Sequence, residues 1–84
     1  EEFVIIMPDT DVARAYQIAE RLRASVAAEP FTISPELSIR ITASVGIGTL
    51  ETASDTPQTM FKRADNALYA AKKRGRNRVV AEAA

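Results

Sequence analysis

Through residues 39–48 the chain alternates without a lapse: Ile39, Ile41, Ala43, Val45 and Ile47 are interleaved with Arg40, Thr42, Ser44, Gly46 and Gly48. A period of two is the repeat of a β-strand, whose successive side chains point to opposite faces, so this segment is expected to lay an apolar face on a core. Both glycines fall on the polar side. There the missing side chains let a helix, a neighbouring backbone or a ligand come close. Helix packing or a bulge is the plainer reading and a ligand the other; both stand.

Two stretches have the pattern of helices that could cover such a strand. Val12, Ala15, Tyr16, Ala19, Leu22 and Val26 recur at three and four residues, making one apolar stripe. Thr10 or Asp11 can cap this helix and Pro30 ends it, with Arg14, Gln17, Glu20, Arg21 and Arg23 on the wetter side. Met60, Phe61, Ala64, Ala67, Leu68 and Ala71 form a second stripe. The polar "ETASDT" leads into it, Pro57 suits its first helical position, and Gly75 suits the left-handed residue just past its end.

Three other pieces read as extended. The apolar run at residues 3–7, stopped by Pro8 and Asp9, suits a strand buried on both faces. "FTI" and "LSI" flank "SPE" as two short strands around a turn, and "RVVA" closes the chain. The expected order is strand, helix, short hairpin and strand, helix, strand, an α/β arrangement with helices over a sheet. The 84 residues amount to one small domain at most. Because "EEFVIIM" opens directly on what looks like a central strand, the chain is expected to be the second part of a longer domain.

Composition removes several chemistries. There is no Cys and no His, hence no zinc, thiol or histidine acid–base site. A metal would need carboxylate oxygens, which favours Mg²⁺ or Mn²⁺. Lys plus Arg (11) balance Asp plus Glu (11), so no global field points to nucleic acid or membrane. No stretch approaches the roughly 18 apolar residues of a membrane span. A cytoplasmic location is the default expectation, including as the cytoplasmic part of a larger, even membrane-anchored, protein.

Charge is concentrated locally instead, at Lys72, Lys73, Arg74, Arg76 and Arg78. Cations in the last turn of a helix meet its macrodipole favourably, by about 0.3–1 kcal/mol each, and that explains the first three. Arg76 and Arg78 come after the glycine and need another account. A Lys on the last turn and an Arg beyond the glycine can reach one spot past the helix, a point charge and a planar fork suited to a polyphosphate. A solvated helix end and an anion site both fit the spacing.

Three segments then resemble one family. "EEFVIIMPDT" resembles the last letters of a GGEEF signature and the strand after it. "ITASVGIG" is similar to a later strand of the same domain, and "MFKRADNALYAAKKRGRNRV" to its closing helix and turn. In this order and spacing, residues 1–84 resemble the C-terminal half of a GGDEF domain, the catalytic domain of diguanylate cyclases. The resemblance implies a palm-like fold, a five-stranded nucleotide-cyclase sheet with flanking helices, of which this chain would supply a β-α-ββ-α-β part. It implies condensation of two GTP into cyclic di-GMP with release of pyrophosphate, between two facing domains of a homodimer.

Carried over by position, Glu1 would be a metal ligand and the catalytic base, and Glu2 a second carboxylate near Mg²⁺ or Mn²⁺. Lys72 and Arg76 would hold GTP phosphates, and Arg21 would belong to a product-inhibition site for cyclic di-GMP. An upstream sensor or receiver domain is expected as a partner, and nucleic acid is not. The family's principal metal-binding Asp, its guanine-reading residues and its RxxD motif would lie upstream of Glu1, so these 84 residues alone are expected to be inactive. A degenerate domain that binds GTP or cyclic di-GMP without turnover is the alternative function. A ferredoxin-like interaction domain, with the cations only capping a helix, is the further rival.

Overall fold

The computed structural model describes residues 2–50 and 53–81. Their elements are α1 (Val12–Ala28), β1 (Phe31–Ser34), β2 (Leu37–Ile39), β3 (Val45–Ile47), α2 (Pro57–Lys73) and β4 (Val79–Ala81). Both helices begin where the caps were expected. The Asp11 side chain accepts from Arg14 N at 2.8 Å. Thr56 and Thr59 exchange side-chain and backbone bonds in a capping box ahead of Pro57, which satisfies amides the first turn would leave unpaired.

The centre is a two-stranded parallel sheet in which Val45, Gly46 and Ile47 pair with Val79, Val80 and Ala81. The alternation in β3 sends its residues to two helices. Ile47 and Val79 pack with Ala15 and Ala19 of α1, with Val45, Ala81 and Met7 at the margin. The other face of β3 lies on α2. A Cβ on Gly48 would fall 2.6 Å from Ala64 N, and one on Gly46 2.7 Å from Leu68 Cα. The open question about the two glycines is therefore settled for helix packing: hydrogen in place of a side chain lets α2 approach the strand backbone directly. Ala67 and Ala71 are buried along the same helix.

Two expectations need correction. Residues 3–7 form no strand. Phe3 is 88% exposed and Ile6 78%, so this segment is not buried on both faces. A strand exists only as one side of a hydrogen-bonded pair, and among the described residues none pairs with this run. The long alternating segment is also divided: Ile39 ends β2, residues 40–44 carry no ladder, and only Val45–Ile47 joins the sheet. Its first part goes instead to a hairpin, with Phe31 opposite Ile39 and Thr32 opposite Ser38. Among the described residues that hairpin packs on no other element, and Arg40 ties its base to α1 by donating to the Ala27 carbonyl at 3.1 Å. The mixture of helices and small sheets agrees with the expected α/β class.

Candidate functional site

The C-terminal end of α2 closes with a Schellman motif. The amide of Arg76 donates to the Ala71 carbonyl at 2.9 Å and that of Gly75 to the Lys72 carbonyl at 3.3 Å, which pairs acceptors the last turn would otherwise leave free. Gly75 adopts φ 119°, as its position past the helix led one to expect. The left-handed course continues through Arg76 (φ 62°) and Asn77 (φ 49°). For a residue with a Cβ this costs roughly 1–2 kcal/mol, a cost that asparagine bears better than arginine. The Arg78 Nε donates to the Arg76 carbonyl at 3.1 Å, bracing the turn from its far side.

This turn brings Arg76 into one cleft with Lys72 and Glu2. Lys72 Nζ stands 3.5 Å from Glu2 Oε2 across 70 positions of sequence. The remaining wall is mainly apolar, from residues 3–7, Ile18 and Leu22 of α1, residues 42–48 and α2, with the carboxylates of Asp55 and Asp65 also on it. At about 1080 Å³ the cleft exceeds a typical small-molecule pocket of roughly 300–1,000 Å³. Only its charged end has the chemistry to hold an anion. Its cations are well chosen for that purpose: an ammonium on the last helical turn and a guanidinium on a rigid turn next to it.

The other expected residues fare differently. Glu1 lies outside the described residues. Arg21 is exposed on α1 and does not line this cleft. Lys73 is placed over the Tyr69 ring at 5.7 Å from its centroid, in keeping with its reading as a helix-end cation. Glu2 offers the hard oxygen that Mg²⁺ or Mn²⁺ prefers. Yet among the described residues no group of three or more acidic side chains converges. A single carboxylate beside an ammonium is not a ligand set, so the described residues do not by themselves hold such an ion.

Two networks escaped the sequence reading. Arg63 on α2 grips Asp55, with Nη2 to Oδ1 at 2.6 Å and Nη1 to Oδ2 at 3.3 Å, and also donates to the Thr49 carbonyl at 2.5 Å. Their side chains are 15% and 7% exposed, so this clamp fastens the loop after β3 to α2 from within. Arg23 on α1 donates to Glu20 Oε1 through Nε at 2.9 Å and to Asn77 Oδ1 through Nη1 at 2.8 Å. The hydrogen bond from Arg23 holds the Glu20 carboxyl below its ordinary value, and the same bond raises Arg23. Asn77 following a glycine and an arginine was the available hint of a left-handed turn. No periodicity announces a partner 54 residues away.

Comparison with known proteins shows the family. A family model described as "Diguanylate cyclase, GGDEF domain" matches residues 1–78. The response regulator PleD of Caulobacter vibrioides is 47% identical over the whole of this chain, which covers 19% of PleD. The diguanylate cyclase DgcP of Pseudomonas aeruginosa is 44% identical over 94% of this chain, which covers 12% of DgcP. The chain thus spans less than one fifth of the length of these relatives. Among solved structures, the GGDEF domain of DgcB from Caulobacter crescentus, in complex with c-di-GMP, aligns with a TM-score of 0.78 and 29% identity, covering 89% of this chain and 43% of that one. On the family match and these relatives, the chain belongs to the GGDEF family of cyclic di-GMP signalling.

Proposed function

We propose that this chain is part of a diguanylate cyclase domain that joins two GTP molecules into cyclic di-GMP and pyrophosphate. The observation that carries the reading is the meeting of Lys72, Arg76 and Glu2 at the charged end of one cleft. Lys72 and Arg76 grip the phosphates of GTP: the guanidinium binds two oxygens at once and the ammonium neutralises a third. Holding the triphosphate fixed orients the α-phosphorus for attack by the 3′-hydroxyl of a second GTP, presented by a facing copy of the domain. Charge that builds on the phosphate oxygens in the transition state meets the same two cations.

Glu1 and Glu2 would contribute carboxylates to a Mg²⁺ or Mn²⁺ site whose other donors come from outside the described residues. When bound, such an ion lowers the pKa of an attacking hydroxyl and shields phosphate charge. Glu1 is assigned as the base and Arg21 to a product-inhibition site, both by position in the family motif. A homodimer, an upstream receiver or sensor domain and a cytoplasmic location complete the proposal.

The test uses the complete protein. GTP turnover and GTP affinity are measured for the wild type, Lys72→Ala and Arg76→Ala. Each substitution is expected to weaken GTP binding at least about tenfold, the scale of a charge-assisted hydrogen bond, and to depress turnover. Unchanged affinity in both variants would remove the phosphate reading. Affinity for GTP with no turnover in the wild type would assign a degenerate binding module instead.

A further inference from the structure

We propose that Arg23 of α1 is a positioning residue for the phosphate grip: by holding Asn77 in its left-handed turn, it sets where Arg76 points. The inference rests on the reading of Arg76 as a phosphate ligand and adds a residue that touches no part of the cleft.

The turn carries three successive residues at positive φ, of which only the first is glycine. Arg76 and Asn77 hold a conformation that side chains with a Cβ disfavour, so neighbours must maintain it. Arg76 is fixed at its amide by the Ala71 carbonyl. Asn77 is fixed from two sides by separate elements. Its amide donates to Ser44 Oγ at 3.2 Å, just ahead of β3, and its Oδ1 accepts from Arg23 Nη1 at 2.8 Å. Glu20, one turn back on α1, takes the Arg23 Nε at 2.9 Å and thereby aims the guanidinium at Asn77.

Neither Arg23, Glu20 nor Asn77 lines the cleft that holds Lys72, Arg76 and Glu2. Arg23 therefore cannot bind the phosphates there itself, and its reach to that site runs through the turn. Without it, Asn77 keeps one of its two anchors, and the adjoining arginine is free to sample other directions. A guanidinium–phosphate fork demands a fixed plane, so the loss falls on binding of the charged substrate.

A fold staple between α1 and the turn would predict the same contacts, so the test must separate the two roles. In the complete protein, GTP affinity, kcat and melting temperature are measured for Arg23→Gln, Asn77→Gly, Arg76→Ala and the double variant R23Q/R76A. Asn77→Gly keeps access to the left-handed region and removes the side chain that Arg23 holds. Arg23→Gln and Asn77→Gly are each expected to weaken GTP binding about three- to tenfold, the effect of one lost hydrogen bond. Their kcat at saturating GTP falls in the same direction as that of Arg76→Ala but by less, because a misaimed guanidinium also meets less of the charge that builds in the transition state. Once Arg76 is absent, Arg23→Gln should have almost no further effect, the signature of two residues acting as a unit.

An equal loss in both backgrounds would overturn the inference, since Arg23 would then act elsewhere. So would a lowered melting temperature with unchanged GTP affinity. If Arg76→Ala itself leaves affinity intact, the phosphate reading fails and this one falls with it. If Arg76→Ala weakens binding and neither Arg23→Gln nor Asn77→Gly does, only the positioning role is lost.

Discussion

Gly46 of β3 sits directly on the backbone of α2 at Leu68: a Cβ at this position would come within 2.7 Å of Leu68 Cα and closer still to its amide nitrogen and the Ala64 carbonyl. These are backbone atoms of a hydrogen-bonded helix and cannot step aside as a flexible side chain would. Gly46→Ala is therefore expected to cost about 3 kcal/mol or more, the upper part of the range for overpacking. Gly75→Ala meets only the end of the Arg78 side chain, at 3.0 Å, and should cost about 1–3 kcal/mol, the strain of a Cβ on a backbone at φ 119°, well beyond the left-handed well. Urea unfolding of both variants of the complete protein checks the order. A Gly46→Ala variant as stable as Gly75→Ala would mean that strand and helix do not pack this closely.

The Arg63–Asp55 clamp should matter chiefly to stability, although Asp55 also stands on the wall of the cleft. Both partners are largely shielded from water and the guanidinium also holds the Thr49 carbonyl. Removing one side leaves the other charge buried without its counter-ion, a loss of about 3–5 kcal/mol in fully buried pairs. Arg63→Ala is expected near the lower end of that range because the Asp55 carboxylate left behind still accepts from Thr59 Oγ1 at 3.1 Å. The melting temperature of Arg63→Ala reports the cost. A fall of less than about 2 °C would put the pair among exposed ion pairs of small effect.

How much of this was legible beforehand follows the range of the interactions. The caps at Asp11 and Thr56, the helices α1 and α2, and the left-handed Gly75 all depend on neighbours a few residues away, and each appears where the pattern put it. Of the apolar stripes, Ala15, Ala19, Ala67 and Ala71 are buried, whereas Val12, Tyr16, Leu22 and Phe61 stay exposed. Residues 3–7 have the composition of a buried strand and no strand beside them among the described residues, because composition records what a segment can pair with and not whether the pair is present. Ile39 and Val45 share one alternating run yet serve different sheets, since period two survives any change of partner. Spacing alone allowed Lys72 and Arg76 to meet past the end of α2, but that Glu2 belongs near them was suggested only by resemblance to a family. Its separation of 70 positions from Lys72 gives no local pattern to read.

The Glu20–Arg23 pair predicts a dependence on acid. Hydrogen bonding to Arg23 keeps the native Glu20 carboxyl below its ordinary pKa of 4.5. A depressed native value means that the carboxylate stabilises the folded state above the unfolded pKa, and that this contribution fades as pH drops through the native one. The urea midpoint of the wild type should therefore exceed that of Glu20→Gln at pH 7, with the gap closing below about pH 4.5 as the carboxylate is protonated. The raised Arg23 value acts only in strong alkali and leaves this window untouched. A gap that stays constant from pH 7 to pH 3 would show that ionisation of Glu20 is not what Arg23 senses.

Lys72 and Glu2 together give the sharpest reading of the cleft, because the two proposed roles pull in opposite directions. Their side chains are 42% and 62% exposed at a separation of 3.5 Å. An ion pair in such surroundings contributes about 0.2–1 kcal/mol, too little for its loss to move the melting temperature far. Its consequence for a triphosphate is larger: Glu2 competes for the ammonium and repels the incoming anion. In metal-free buffer, Glu2→Gln should bind GTP up to about fivefold more tightly, the factor such a pair can withhold. If Glu2 also helps hold Mg²⁺, the sign reverses once the ion is present, because the variant loses a metal ligand while the wild type has its repulsion neutralised. Calorimetric titration of GTP into Glu2→Gln with and without Mg²⁺ reads both effects. Tighter binding in both conditions would leave Glu2 as a competitor of Lys72 only, and weaker binding in both would remove it as a competitor.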